Sequence, residues 1–430
     1  MQRPVIVLSA HNIGLGVARA LGRHRIPIIA VYYEKRDMGY VSRYVRERVP
    51  APHPEQSEEA FVSLLIDLAK RHGSCLLIPA DDPTLVATSR HKAELSEHHK
   101  VACADWDTVQ QLIDKKYTYQ LAESLGIPAP KTLVPNSMLQ AEAFAARATY
   151  PCLVKPCQSH LYVERFGRKL LKVADVPALL SACSEAFEAG LEVMLQEYIP
   201  GGDIDGVNYN SYSCDGEVKV EFTAEKVRMS PPEFGVPSVV VSKDVPEVLE
   251  SGRRLLYALG YTGYACTEFR RDIRDGVYKL LEINPRHNRS LLLAVKCGIN
   301  FPLIEYKHLI EGQELPSIGH PPKRLVHDRG LVPHLMEKQK PLYTQHKRGI
   351  YWIDTAKDLA AIGEYRKRGQ LSILRYVQPY LKRPVFATLD IRDPLPFLKR
   401  CADLLRMARR ATISKTSKSE EQSTFVGADT

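Results

Sequence analysis

Long apolar runs are missing from this 430-residue sequence, and none approaches the roughly 20 residues that a membrane-spanning helix needs. The N-terminus lacks the succession of charged, apolar and small residues that marks a signal peptide. The nine cysteines form no Cys-x-x-Cys pair and no metal-finger spacing, which argues against structural zinc and against a disulfide framework. These absences predict a cytoplasmic protein whose thiols stay reduced.

A clustered basic surface is also missing over most of the chain. The formal net charge is +9, but Lys and Arg are interspersed with Asp and Glu as far as residue 398, so we expect no nucleic-acid partner. Residues 398–410 mix leucines with Lys and Arg, a pattern that would suit a helix resting on an anionic membrane or on a partner. A helix packed on its own domain is the alternative. Residues 411–430 predict a disordered tail.

The start of the chain has the pattern of a βαβ unit. An apolar run from Val5 to Ala10 is followed by two glycines, a helical pattern and a second apolar run from Ile26 to Tyr33. This layout predicts a parallel α/β sheet of half-Rossmann type. A nicotinamide site is a weak alternative, because Arg19 occupies the third glycine position and Glu34 comes too early to bind a ribose.

The strongest chemical signal is a hairpin that turns at Asp275-Gly276. Glu282 and Asn284 are two residues apart and therefore face the same side of a strand. Glu268 stands as far before the turn as Glu282 stands after it, so regular pairing would place the two carboxylates opposite each other. Such a cluster of oxygen ligands suits Mg²⁺, with Mn²⁺ as the alternative ion. A pair of solvated edge glutamates is the competing interpretation.

In this context the chain resembles the ATP-grasp superfamily, whose members bind ATP between two α+β lobes and ligate carboxylates to amines. The resemblance implies that Glu268, Glu282 and Asn284 hold two Mg²⁺ ions between the ATP phosphates. It also implies that Arg286 in Asn-Pro-Arg meets the transferred phosphate or the acyl phosphate, a charge that a fixed guanidinium suits. The motifs occur in the order that the family requires, over roughly residues 5–311.

The family's nucleotide lysines have counterparts in this sequence. The sequence predicts one linker helix from Trp106 through Leu125. Lys115 on this helix resembles the first phosphate-binding lysine, with Lys116 as a close competitor. Lys155 ends a buried strand, where an ammonium is costly unless it meets an anion, and it resembles the second. The loop at 158–170 corresponds to the mobile phosphate flap, although Gly167 is its only glycine.

The segment around residue 196 resembles the hinge that binds the nucleoside. The resemblance implies that Gln196, Glu197 and Ile199 face adenine and that Asp203 binds the ribose hydroxyls, with Asp205 as the alternative. Two further residues are assigned to catalysis and substrate binding. Lys226 and Arg228, two residues apart on a predicted strand, are expected to project into the same cleft, one toward phosphate and the other toward phosphate or a substrate carboxylate.

The fold class that we predict is α/β and α+β, with an N-terminal half-Rossmann domain before a two-lobed ATP-grasp domain. Within the superfamily the chain looks most like D-aspartate ligases and related carboxylate–amine ligases, on Ser42-Arg43-Tyr44, the Asn-Pro-Arg ending and a C-terminal extension. The predicted domains are a pre-ATP-grasp domain at 1–105, a small lobe with its linker helix at 106–200, a large lobe with the metal site at 201–325, the C-terminal extension at 326–410 and the tail at 411–430.

The predicted activity is ATP-dependent ligation of a small-molecule carboxylate to an amine, or to a thiol, through an acyl phosphate. A cell-envelope precursor is one candidate substrate. Two other functions remain as alternatives: a scaffold that binds ATP without catalysis and a nicotinamide-dependent dehydrogenase. Two opposed carboxylates argue against the scaffold, because nucleotide binding without chemistry does not need them.

Overall fold

The structure is a computed structural model, and it describes residues 2–157, 162, 165–167, 170–316, 347–370 and 372–407. The chain forms two compact units. One unit comprises Met1–Ala102 and Phe386–Thr430, and the other comprises Cys103–Val385. The predicted C-terminal extension, 326–410, is therefore divided between the two units. Residues 326–346 of it lie outside the described residues, as do the predicted tail at 411–430 and most of the predicted flap at 158–170.

The first unit contains a five-stranded parallel sheet in the order β3-β2-β1-β4-β5. The central strand β1 is entirely buried, which agrees with its unbroken apolar sequence. The half-Rossmann prediction is confirmed. The elements are β1 (Val5–Leu8), α1 (Asn12–Gly22), β2 (Ile28–Tyr32), β3 (Val45–Pro50), α2 (Glu58–His72), β4 (Leu76–Pro79), α3 (Asp82–Arg90), α4 (Lys92–Ser96), β5 (Lys100–Val101) and a C-terminal helix α14 (395–407).

Two residues of the glycine-turn motif have structural roles here. A Cβ atom at Gly14 would lie 2.0 Å from the Ser9 carbonyl oxygen, so the close approach of α1 to β1 requires glycine. Arg19 is fully buried, and its Nε donates to the Asp393 carboxylate at 2.9 Å. The arginine that breaks the dinucleotide motif therefore binds the C-terminal part of this unit to the sheet.

The second unit begins with the linker helices and a small antiparallel sheet in the order β6-β9-β7-β8. Its core packs α7 and α8 against the sheet through alanine, leucine and valine side chains. The elements are α5 (Trp106–Ile113), α6 (Lys115–Ser124), β6 (Thr132–Leu133), α7 (Met138–Ala145), β7 (Cys152–Pro156), β8 (Leu171–Val173), α8 (Val176–Glu188) and β9 (Val193–Glu197).

A larger sheet in the order β14-β13-β10-β11-β12-β15-β16 completes the second unit. The strands from β14 to β15 pair antiparallel with their neighbours. Its elements are β10 (Gly206–Cys214), β11 (Glu217–Ser230), β12 (Val236–Ser242), α9 (Leu249–Ala258), β13 (Gly263–Arg271), β14 (Tyr278–Asn284), α10 (Leu291–Cys297), α11 (Phe301–Glu311), β15 (Tyr351–Ile353), α12 (Thr355–Lys367), α13 (Ile373–Leu381) and β16 (Val385–Phe386).

The single helix predicted from Trp106 through Leu125 is wrong, because the chain breaks at Asp114 into α5 and α6. Asp114 adopts an extended conformation, and its carboxylate accepts a hydrogen bond from the Lys116 backbone N–H at 2.9 Å. This is the N-cap that a helix start requires. The break places Lys115 in the first turn of α6.

Among the described residues, no helix combines the length and apolarity that crossing a bilayer requires.

Candidate phosphate and metal site

The hairpin of β13 and β14 places the two glutamates opposite each other, with a register shift between Glu268 and Phe269. Glu268 pairs directly with Glu282, and Cys266 pairs with Asn284. The Asn284 amide donates to Glu282 Oε1 at 3.1 Å, so these two side chains point the same way. The prediction that the two carboxylates oppose each other is confirmed.

Two lysine ammoniums offset the repulsion between these carboxylates. Lys226 donates to Glu268 Oε2, and Lys115 Nζ lies 3.2 Å from Glu282 Oε2. Burial alone would raise the pKa of Glu282, but the Lys115 ammonium and the Asn284 amide lower it to about 2. Glu282 is thus a carboxylate at neutral pH and remains about a third exposed, at 33%.

Two hydrogen bonds attach α6 and the segment after it to β14, the strand that carries Glu282 and Asn284. The Tyr119 hydroxyl donates to the Leu281 carbonyl oxygen at 2.7 Å, and the Leu280 N–H donates to the Pro128 carbonyl oxygen at 2.8 Å. These bonds set the first turn of α6 beside β14. Lys115, rather than its neighbour, consequently contacts Glu282.

Lys155 lies at the end of β7, on the small sheet, where β7 pairs with β9. Its ammonium donates to the Gln196 side-chain oxygen at 2.6 Å. Burial, together with the nearby Lys115 ammonium, lowers the pKa of Lys155 to about 7. An anion bound beside Lys155 would stabilise the protonated, charged form of its side chain.

The donor set fits a hard cation. Mg²⁺ takes oxygen ligands from one or two carboxylates and leaves positions for phosphate oxygens. The described residues hold no group of three or more His, Cys, Asp or Glu suited to a metal. A metal site here therefore depends on the Asn284 amide oxygen as the third protein ligand beside Glu268 and Glu282.

The side chains predicted to contact adenine point to different sides of the strand β9. Gln196 is buried and binds Lys155 and the Thr132 hydroxyl, so its side chain faces the lysine. Glu197 points to the other side of the strand and pairs with Arg274. Glu197 can therefore contribute to a nucleotide site on the lysine side only through its backbone. Ile199 is buried.

The predicted ribose ligand Asp203 already has three partners. Its carboxylate accepts the Glu233 N–H at 3.0 Å, the Met229 N–H at 3.2 Å and the Tyr365 hydroxyl. It borders a cavity of about 400 Å³ that Lys172, Tyr198 and Arg368 also line. The competing ligand Asp205 accepts the Gly202 N–H at 2.7 Å.

The prediction that Lys226 and Arg228 project from one strand face is wrong. Lys226 pairs with Val240 while Arg228 pairs with Val239, so the register shifts between them. Such a bulge inserts one extra residue and turns the next side chain to the other face. Arg228 accordingly forms a buried ion pair with Asp358, with Nε 2.7 Å from Oδ1. Its side chain therefore does not join Glu268 and Glu282.

Arg286 is half-buried just after β14, and the residue after it belongs to a buried pair. His287 Nε2 lies 3.1 Å from Glu305 Oε2 on α11, and both side chains are almost fully buried. The ring of His287 also packs on Tyr264, with centroids 4.3 Å apart. Sequence reasoning missed this pair and also missed Asp358. A histidine directly after Asn-Pro-Arg was the one available signal.

Comparison with known proteins reveals related sequences. Over 259 residues the chain is 29% identical to a D-aspartate ligase of Enterococcus faecium (strain Aus0004). The matched segment covers 56% of this chain and 62% of that enzyme. The chain thus spans less than two thirds of the length of this relative. No family model matches the chain.

Solved structures share the architecture. A biotin carboxylase from Campylobacter jejuni, in a β-γ-ATP complex, superposes with a TM-score of 0.59 at 19% identity over 73% of this chain and 72% of that one. An L-amino acid ligase from Bacillus licheniformis superposes with a TM-score of 0.56 at 18% identity over 72% of this chain and 74% of that one. At such identities the similarity establishes a common fold.

Proposed function

We propose that this chain, which has the ATP-grasp fold, is an ATP-dependent ligase that joins a small-molecule carboxylate to an amine, or to a thiol, and releases ADP and phosphate. One observation carries the proposal. Two glutamate side chains oppose each other on a hairpin, with an amide beside them and lysine ammoniums around them. The similarity to D-aspartate ligase supports the same class of substrates.

In this proposal the chain binds the nucleotide through three lysines. Lys115, Lys155 and Lys226 meet the phosphates, while Gln196, the backbone at Glu197 and Ile199 receive adenine. Asp203 or Asp205 binds the ribose. Asp203 accepts three hydrogen bonds in this structure, and a carboxylate offers about four acceptor positions, which leaves one for a ribose hydroxyl.

Glu268, Glu282 and Asn284 would hold Mg²⁺, or Mn²⁺, which supplies charge neutralisation for the phosphates when it is bound. Lys115 and Lys226 contact these carboxylates in this structure. We propose that their ammoniums pass from carboxylate to phosphate when nucleotide and metal bind. The two lysines then act as temporary partners that offset the repulsion within the acidic pair until nucleotide and metal bind.

The reaction itself needs positioned charge and no enzyme nucleophile. The substrate carboxylate attacks the terminal phosphoryl group to give an acyl phosphate, and the amine then displaces phosphate through a tetrahedral intermediate. Arg286 would stabilise the charge on the transferred phosphoryl group and on the oxyanion. Arg228, which forms the buried ion pair with Asp358, would lie outside this site and would stabilise the end of β11.

Two finer parts of the proposal concern the substrate and its location. A cell-envelope precursor is the candidate carboxylate or amine. The basic segment 398–410 would provide peripheral membrane contact, and its described part belongs to α14, which exposes Leu398, Leu404, Leu405 and Met407. The chain is proposed to act in the cytoplasm.

A substrate screen tests the proposed reaction. Amino acids and their D-isomers are supplied in pairs with ATP and Mg²⁺, and ADP is measured by a coupled assay. We expect ADP release only when a carboxylate and an amine are both present, and we expect hydroxylamine to trap the activated carboxylate as a hydroxamate. ADP release that ignores the substrate pair, or the absence of any hydroxamate, would contradict ligation.

The lowered pKa of Lys155 predicts that nucleotide binding depends on pH. The ammonium form is the one that binds phosphate, so bound nucleotide raises this pKa above its free value of about 7. Affinity should be highest below pH 7 and fall as pH rises through it, by up to about tenfold per pH unit until the bound pKa is reached. Titration of a fluorescent ATP analogue from roughly pH 6 to roughly pH 9 measures this dependence of affinity on pH.

The Lys155→Met variant is the control for that titration. It lacks the titrating ammonium but leaves the nucleotide's own phosphate titration unchanged. We expect weaker binding with a flatter pH profile. If both proteins show the same slope above pH 7, Lys155 is not the group that takes up the proton.

A further inference from the structure

The amphipathic helix α13 is oriented with its apolar side outward. Ile373 and Leu374 are each 84% exposed, Leu381 is 76% exposed, and Val377 is also exposed. With 3.6 residues per turn, these four positions form one stripe about 100° wide. We call Ile373, Leu374, Val377 and Leu381 the α13 stripe.

The opposite side of α13 is attached to the unit by polar and aromatic contacts. The Tyr380 hydroxyl donates to Asp358 Oδ2 at 2.8 Å, and the Arg228 guanidinium lies 4.9 Å from the centre of the Tyr376 ring. Pro379 is buried on the same side. The helix is thus anchored by its polar side, so the outward position of the stripe is built into the fold.

The segment that contains the stripe carries charge of one sign. Residues 365–389 contain no Asp or Glu and six basic residues, which are Arg366, Lys367, Arg368, Arg375, Lys382 and Arg383. An exposed apolar stripe in a purely basic segment matches a surface that offers acyl chains and negative headgroups together.

We propose that the α13 stripe is a docking surface for a membrane that contains anionic lipids. The four apolar side chains would enter the headgroup boundary, while the neighbouring Lys and Arg side chains contact lipid phosphates. This inference does not depend on the proposed ligase activity, and its test needs no substrate.

Vesicle binding of the full chain tests this surface. We expect the protein to co-sediment with vesicles of phosphatidylcholine and phosphatidylglycerol, to stay in solution with phosphatidylcholine alone, and to dissociate as salt screens the charges. The double variant Leu374→Ser/Leu381→Ser should bind at least about tenfold more weakly. Lys382→Glu should weaken binding roughly tenfold.

Matched variants separate the stripe from general surface effects. Leu139→Ser removes a leucine that is 75% exposed on α7, and Lys100→Glu reverses an exposed charge on β5; both should bind vesicles like the unmodified chain. Unchanged thermal unfolding of each variant confirms that the fold is retained.

Three results would overturn the assignment. One is failure of the unmodified chain to bind anionic vesicles. Another is loss of binding in Leu404→Ser/Leu405→Ser on α14 but not in the α13 variant, which would assign docking to α14. The third is a dimer in lipid-free solution that the α13 variant dissociates, which would make the stripe an interface between two copies.

Discussion

Replacing Glu282 by Gln should lower the rate of substrate-dependent ADP formation about a thousandfold, or about 4 kcal/mol of transition-state stabilisation. The substitution keeps the shape of the side chain but removes the charge that a metal ion needs. Glu282 is a third exposed and its pKa is lowered to about 2, so the native residue is a carboxylate under all assay conditions near neutrality. A coupled ADP assay at saturating substrates measures the effect.

The matched control for this prediction is Glu225→Gln. Glu225 is a mostly buried carboxylate on β11 that pairs with Lys243 and with neither lysine of the proposed metal site. It should keep near-normal turnover. Both variants should unfold at the same temperature as the unmodified chain. Retained turnover in Glu282→Gln would remove this carboxylate from the proposed metal site.

Replacing Asp358 by Ala should lower the free energy of unfolding by about 3–5 kcal/mol, because it leaves a buried guanidinium without its carboxylate. Arg228 and Asp358 are 4% and 0% exposed, and their second contact joins Nη2 to Oδ2 at 2.8 Å. Asp358 also accepts hydrogen bonds from Ser238 and Tyr380, which would lose their partner. Urea unfolding measures the loss.

Two further variants establish that charge burial causes that loss. Glu364→Ala removes an exposed carboxylate from the same helix α12 and should change stability by no more than about 0.5 kcal/mol. The double variant Arg228→Met/Asp358→Leu replaces the pair by apolar groups and should recover much of the stability. If Asp358→Ala costs under about 1 kcal/mol, the pair is more solvated than its burial indicates.

The features that sequence reasoning predicted correctly follow from local rules. Counting residues on either side of the Asp-Gly turn predicts the opposition of Glu268 and Glu282. The structure reaches it through a register shift between Glu268 and Phe269, which the count does not contain. Burial at the end of a strand predicts an anion for Lys155, because an ammonium there is costly without one; the anion itself stays a prediction. The structure supplies the Gln196 oxygen as a hydrogen-bond acceptor.

The features that sequence reasoning missed depend on contacts between distant segments. The bulge after Lys226 turns Arg228 toward Asp358, about 130 residues further along the chain. Asp203 likewise contacts Tyr365 in the C-terminal extension, where the sequence analysis assigns no site residue. The alternation of side chains along a regular strand does not account for an inserted residue or for a partner on a later helix. Sequence alone therefore placed Arg228 on the wrong face.

The central claim is that Glu268, Glu282 and Asn284 hold a divalent ion next to bound nucleotide. Electron paramagnetic resonance of Mn²⁺, titrated into the chain with a non-hydrolysable ATP analogue, tests it without requiring turnover. We predict Mn²⁺ binding that depends on the analogue in the unmodified chain and that is lost in Glu282→Gln. Equal Mn²⁺ binding by the two proteins would contradict the account.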